Sequence, residues 1–183
     1  MNYFILMQDP RIPHQPHVAR CPDTIDPLDW INGRIMPDPG PMGVKLSHKE
    51  ERFRGGIIGG LLPLFHQYFI DELTRLGIDN IQYFPVELED SEGNVEYTYS
   101  LANVIGLIEA VNVNASVIKP RASGGHGRLF SFKIDHHKAR DHRLFRLAEA
   151  PTLIIIDEYL WKDILAFNPP GVMLLPTERY DGY

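Results

Sequence analysis

The chain has 183 residues, 44% hydrophobic and 23% charged, with a formal net charge of −6. These are globular values, which exclude a disordered chain, and no apolar run reaches the length of a transmembrane helix. The single cysteine, Cys21, excludes an intrachain disulfide and a cysteine-based zinc site, so a reducing, cytoplasmic setting is expected. The charge is unevenly placed: residues 61–118 carry one basic side chain, Arg75, against nine acidic, and residues 119–146 carry eight basic against two acidic. Segregation of this kind bears on partners rather than fold, and an acidic chain is not a general nucleic-acid binder.

Residues 1–60 hold eight of the fifteen prolines and are expected to form an arm lying over the core within a single domain, 1–183. Within the arm, residues 3–7 read as a short strand, too brief and without the basic flank for a signal-peptide core. Asn32-Gly33 inside residues 30–35 predicts a small hairpin. The run Gly55-Gly56-Ile57-Ile58-Gly59-Gly60 lacks the Lys-Ser/Thr that completes a phosphate loop and reads as a flexible lead into a helix. That helix is predicted over 63–76 from the spacing of Leu64, Phe65, Phe69, Leu73 and Leu76, with Gly77 as its stop.

A strand over 81–89 follows, where Pro85 calls for an edge position or a bulge. A turn at 90–94 and a returning strand at 95–101 complete a hairpin. Residues 102–111 read as a buried helix through Val104, Ile105, Leu107, Ile108 and Val111. Short strands are expected at 115–118, 129–135 and 144–147, with a mobile loop at 120–127. The apolar run 152–156 reads as a central strand, Asp157 as the N-cap of a helix burying Leu160, Ile164 and Phe167, and 172–177 as the last strand. The fold class is therefore α+β, with a mixed, largely antiparallel sheet.

The stretch 65–88 is echoed without a gap at 156–179. Tyr68 falls on Tyr159, Pro85 on Pro176 and Glu87 on Glu178, while Phe69/Leu160, Leu73/Ile164, Leu76/Phe167 and Ile81/Val172 keep their apolar character. Each stretch reads as helix, loop, strand, which predicts an internal repeat within residues 61–183.

Two clusters stand out chemically. Asp135-His136-His137-Lys138-Ala139-Arg140-Asp141-His142 offers His136, His137 and His142 as fallback metal ligands beside Asp135 and Asp141, but its spacing matches no zinc signature and, between two expected strands, it reads first as a polar connection, so no metal is assigned. The hairpin gathers Glu87, Glu89, Asp90, Glu92 and Glu96 within ten positions, a candidate partner-binding surface or a plain solvated turn. The basic residues from Arg121 to Arg146 would complement that hairpin or solvate an exposed edge. GxSxG and HExxH are both absent, so no catalytic residues and no cofactor are assigned.

Three segments carry a family resemblance. They are Asp79-Asn80-Ile81-Gln82-Tyr83-Phe84-Pro85-Val86; the run from Tyr99-Ser100-Leu101-Ala102-Asn103 to Val111; and Leu144-Phe145-Arg146-Leu147 with the helix and strand after it. In this order they resemble a family of bacterial polymorphic-toxin immunity proteins, long known only as a domain of unknown function. The glycine-rich lead and the histidine-rich segment depart from the family pattern. The resemblance implies a cytoplasmic inhibitor that binds a cognate toxin domain, with no catalytic residues. A metal-dependent enzyme built on the three histidines and a non-catalytic adaptor subunit are the competing classes, and a homodimer stays open.

Overall fold

The computed structural model describes residues 1–13, 15–20, 22, 25–47, 55–120, 127–140 and 142–182. Most of the loop expected at 120–127, together with Cys21 and Asp141, lies outside the described residues. Strands β1 (Tyr3–Gln8), β2 (His17–Arg20), β3 (Met42–Ser47), β4 (Ile57–Ile58) and β5 (Leu64–His66) precede helix α1 (Gln67–Arg75). Then come β6 (Ile81–Glu89), β7 (Val95–Glu96), β8 (Tyr99–Val104), β9 (Leu107–Ile108), β10 (Val117–Lys119) and β11 (Arg128–Phe130). A single helical turn, α2 (His136–Ala139), leads to β12 (Leu144–Leu147), β13 (Ala150–Asp157), α3 (Glu158–Phe167) and β14 (Val172–Pro176).

Two mixed sheets dominate, and the fold is α+β. One runs β14-β1-β13-β12-β9, antiparallel except for the β12–β9 pair. The larger runs β2-β3-β6-β8-β5-β4, with β7 added to β6 and with β3 parallel to β6. The small pair β10–β11 stands apart. In the larger sheet α1 links β5 to β6, and β8 lies between them, antiparallel to both. In the other sheet α3 links β13 to β14 around β1 in the same manner.

The period-two geometry of the strands sorts their side chains into three apolar layers. Phe4, Leu6, Leu144, Ile154 and Ile156 face one cluster, which also takes Ile57, Phe65, Ile81, Ala102 and Val104 from the larger sheet. Both helices sink their apolar stripes into it, through Phe69 and Leu73 of α1 and Leu160 and Ile164 of α3. Tyr3, Ile5, Phe145, Leu147 and Ile155 face a second cluster on the far side of their sheet. Ile58, Leu64, Phe84, Val86, Leu88 and Leu101 face a third. Val18 of β2 packs on the same third cluster as Ile58 of β4, the strand at the opposite edge of the larger sheet.

The helix ends have identifiable caps. The Tyr68 N–H donates to Nδ1 of His66 (3.2 Å) and the Gln67 N–H to the Thr98 carbonyl (2.8 Å), which starts α1 at residue 67. Gly77, at φ +78°, follows its end. In α3 the Leu160 N–H donates to Oδ1 of Asp157 (2.7 Å), and Asn168 closes the last turn at φ +49°.

Several expectations are corrected. Leu64 and Phe65 belong to a buried strand rather than to the first turns of α1. Residues 102–111 form no helix: β8 runs on through Val104, Gly106 turns the chain at φ +107°, and β9 follows. Every residue of β8 is buried, and a run enclosed on both faces has no amphipathic period to separate helix from strand. The return strand of the hairpin is broken at Tyr97-Thr98, where the Thr98 carbonyl turns to α1. The strand expected over 129–135 stops at Phe130.

Asn32-Gly33 makes no hairpin. Residues Asp29–Ile31 form a 3-10 turn that buries Trp30, and Gly33 lies against Gly106 and Leu107, where a Cβ would stand 2.6 Å from the Leu107 nitrogen. Pro85 sits inside β6 rather than at an edge. Its missing N–H is tolerated because the β8 pairing ends there and the β3 pairing begins at Val86. The glycine-rich run is packed rather than a free lead. Gly55 through Ile58 are buried, and the Gly56 N–H donates to the Pro170 carbonyl (2.7 Å).

Three stability predictions follow from these contacts. Leu73→Ala should cost about 2–5 kcal/mol in urea unfolding, because the side chain is wholly enclosed in the cluster shared by both sheets. Gly55→Ala should cost about 1–3 kcal/mol, since the new Cβ would meet backbone, Gly171 Cα and Pro170 O, each at 2.8 Å. The third concerns His66, whose cap requires an unprotonated Nδ1. Burial holds its imidazole below the usual 6.5, against the opposing pull of Glu96. The folded chain therefore binds this proton less tightly than the unfolded one. Stability from this group is complete above pH 6.5 and declines as pH falls through the lower folded value. His66→Asn, a cap that does not titrate, should remove that component from the pH dependence of the urea midpoint; an identical pH profile for both proteins would contradict it.

Candidate functional site

The hairpin β6–β7 divides its five carboxylates by strand geometry. Leu88 is fully buried in the third cluster, so Glu87 and Glu89 on either side of it face outward. Glu89 stands opposite Lys45 of β3, whose ammonium reaches it at 3.0 Å. Glu87 accepts from the Tyr97 hydroxyl at 3.3 Å, and Glu92 is exposed at the tip. Tyr97 and Val95 share this outer face at 71% and 44% exposure. The face thus presents an aromatic ring and a small apolar group ringed by carboxylates.

Asp90 and Glu96 sit differently. Asp90 holds the turn together: its carboxylate accepts from the Glu92 and Asn94 N–H groups at 2.9 Å and from the Asn94 amide at 3.1 Å. Gly93, at φ +84°, completes that turn. Glu96 pairs in register with Leu88, on the inward side, where its charge acts on His66.

The histidine-rich segment folds as one helical turn capped by Asp135, whose Oδ1 accepts from the His137 N–H at 3.0 Å. The His136 and His137 rings lie 3.8 Å apart on the exposed side, while Nδ1 of His142 meets the Ala139 carbonyl at 2.8 Å. Among the described residues no three His, Cys, Asp or Glu side chains gather closely enough to hold a metal ion.

Several described members of the basic block are engaged separately. Arg143 pairs with Asp163 of α3 at 3.0 Å and donates to the Leu76 carbonyl, also at 3.0 Å. Lys119 and Arg128 lie over the ring of Phe130. The residue that composition hides best is Arg146, only 1% exposed within β12. Its Nη1 donates to the Pro151 carbonyl at 2.8 Å, Nε and Nη2 have no partner among the described residues, and burial pushes the guanidinium down to about 10. Its one sequence signal is its place between Phe145 and Leu147 in a strand buried on both faces.

No helix of the described residues is long and apolar enough to cross a membrane. No curated protein matches the chain. Among protein families, residues 69–178 match the Immunity protein family (Imm11), a stretch that begins in α1, takes in the acidic hairpin and ends just past β14. Because that match covers more than half of the 183 residues, the chain belongs to the Imm11 immunity protein family.

Proposed function

We propose that this protein neutralises a cognate bacterial toxin domain by direct contact, in the cytoplasm of the cell that produces the toxin, and that it acts by binding rather than by turnover. Membership of the immunity family carries this reading. The outer face of the hairpin supports it as the contact surface. Tyr97 is the anchor that a partner would bury, and Glu87, Glu89 and Glu92 are the charged rim around it. The partner surface would be basic, since complementary charge speeds encounter and excludes wrong partners. Asp90 and Glu96 contribute to the same acidic field while serving the turn and the interior.

We also read the two strand–helix–strand units as copies of one ancestral piece. The Tyr68/Tyr159, Pro85/Pro176 and Glu87/Glu178 correspondences support this, as does the crossover each helix makes around one antiparallel strand.

The test uses the C-terminal toxin domain encoded beside the gene and measures association by stopped flow. Glu87→Lys, Glu89→Lys and Glu92→Lys together should slow association about tenfold or more at low salt, with the difference shrinking in high salt. Asp90 is left intact so that the turn survives. Tyr97→Ala should instead raise the dissociation rate, by about 2 kcal/mol in affinity. Association and dissociation rates that ignore all four changes would remove the hairpin from the interface.

A further inference from the structure

The interior shared by the two sheets does not close everywhere. Where the segment between β1 and β2 meets the glycine-rich run, it opens to the surface as a cleft of about 340 Å³. Leu6 and Ile154 from one sheet and Ile57 and Phe65 from the other line it, each no more than 4% exposed. The rim comes from irregular chain: Pro10 and Gln15 between β1 and β2, Gly59 and Gly60, and Tyr180 near the C-terminal end. Thr152 lines it from an exposed position. Most of these residues precede position 69, so the cleft is built largely outside the stretch that matches the family.

Its polar groups are unequal. Gln8 is engaged at both ends: Nε2 donates to the Pro16 carbonyl (3.2 Å), and Oε1 accepts from the Gly59 N–H (2.8 Å). A Cβ on Gly59 would crowd that same side chain, at 3.1 Å from Oε1. Gln8 is thus a fixed wall, tying β1 to both the segment before β2 and the glycine run. Gln15 differs, because its Nε2 is enclosed yet has no hydrogen-bond partner among the described residues. Among the described residues, Lys, Arg, Asp and Glu are absent from the lining, and the one histidine in it, His17, is exposed.

We propose that this cleft binds a compact neutral molecule, apolar over most of its surface, that carries one hydrogen-bond acceptor for Nε2 of Gln15. The volume lies in the range of about 300–1,000 Å³ typical of small-molecule sites. The ligand is neutral because one amide donor offsets the desolvation of a carbonyl but falls far short of that of an ion. The inference stands apart from toxin binding and needs no partner.

The probe is prodan, a neutral naphthalene with a single carbonyl whose emission shifts to the blue in apolar surroundings. Titrated into the full chain, it should bind saturably at one site with blue-shifted emission. Thr152→Trp, which fills the cleft from its exposed rim, should abolish that binding while far-UV circular dichroism and the melting temperature hold. Gln15→Leu should weaken it about 3- to 10-fold, the loss expected for one neutral hydrogen bond. 2-(Dimethylamino)naphthalene, which lacks the carbonyl, should bind the native chain and the Gln15→Leu variant alike. No saturable binding by the native chain, as for a cleft holding only solvent, overturns the proposal. So does undiminished binding by Thr152→Trp, and unchanged prodan affinity in Gln15→Leu overturns the donor assignment.

Discussion

The surface of this protein is positioned by one buried assembly, the apolar cluster that both sheets and both long helices share. Phe65, Phe69 and Leu73 on one side and Ile156, Leu160 and Ile164 on the other are all but sealed from solvent within it. Each such side chain contributes about 1.5–3 kcal/mol by leaving water. The set is therefore large enough to hold the two sheets together. The faces turned away from it carry their own smaller clusters, which explains why β13 is apolar on successive residues where a half-exposed strand would alternate.

From that core the hairpin is placed by β6, the longest strand, which is clamped by β8 over its first half and by β3 and β7 over its second. Leu88 anchors the outer end. Carboxylates on a rigid strand keep a fixed spacing, which suits recognition better than the same charges on a loose loop. The Lys45–Glu89 pair is partly solvated and adds little stability. Its consequence is electrostatic, since it trims the negative field between Glu87 and the tip and leaves Glu87 and Glu92 to dominate on either side of it.

Some of this could be read directly from residue order. β6 alternates, Gly77 ends α1 and Asp157 caps α3, all local signals with local physical causes. Other features depend on distant parts of the chain. Whether residues 102–104 are helix or strand depends on their pairing with the distant β6. The conformation of Gly33 serves a close approach to Leu107 rather than a tight turn, and Gly55 is required by Gly171, 116 positions later. The acidic hairpin was legible as a cluster, but its division into outward Glu87, Glu89 and Glu92 and inward Glu96 depended on pairing register. Arg146 had only its apolar neighbours Phe145 and Leu147 to mark it, and the cleft at Gln15 had no local signature at all.

The central claim is that protection comes from occupying a partner rather than from transforming it. Titrating this protein against a fixed amount of the neighbouring toxin domain, with residual toxin activity as the readout, tests it most directly. Binding predicts a linear loss of activity that ends at one equivalent, with full activity recovered when the complex is dissociated. Complete inactivation by a small fraction of an equivalent, or activity that does not return on dissociation, would contradict it.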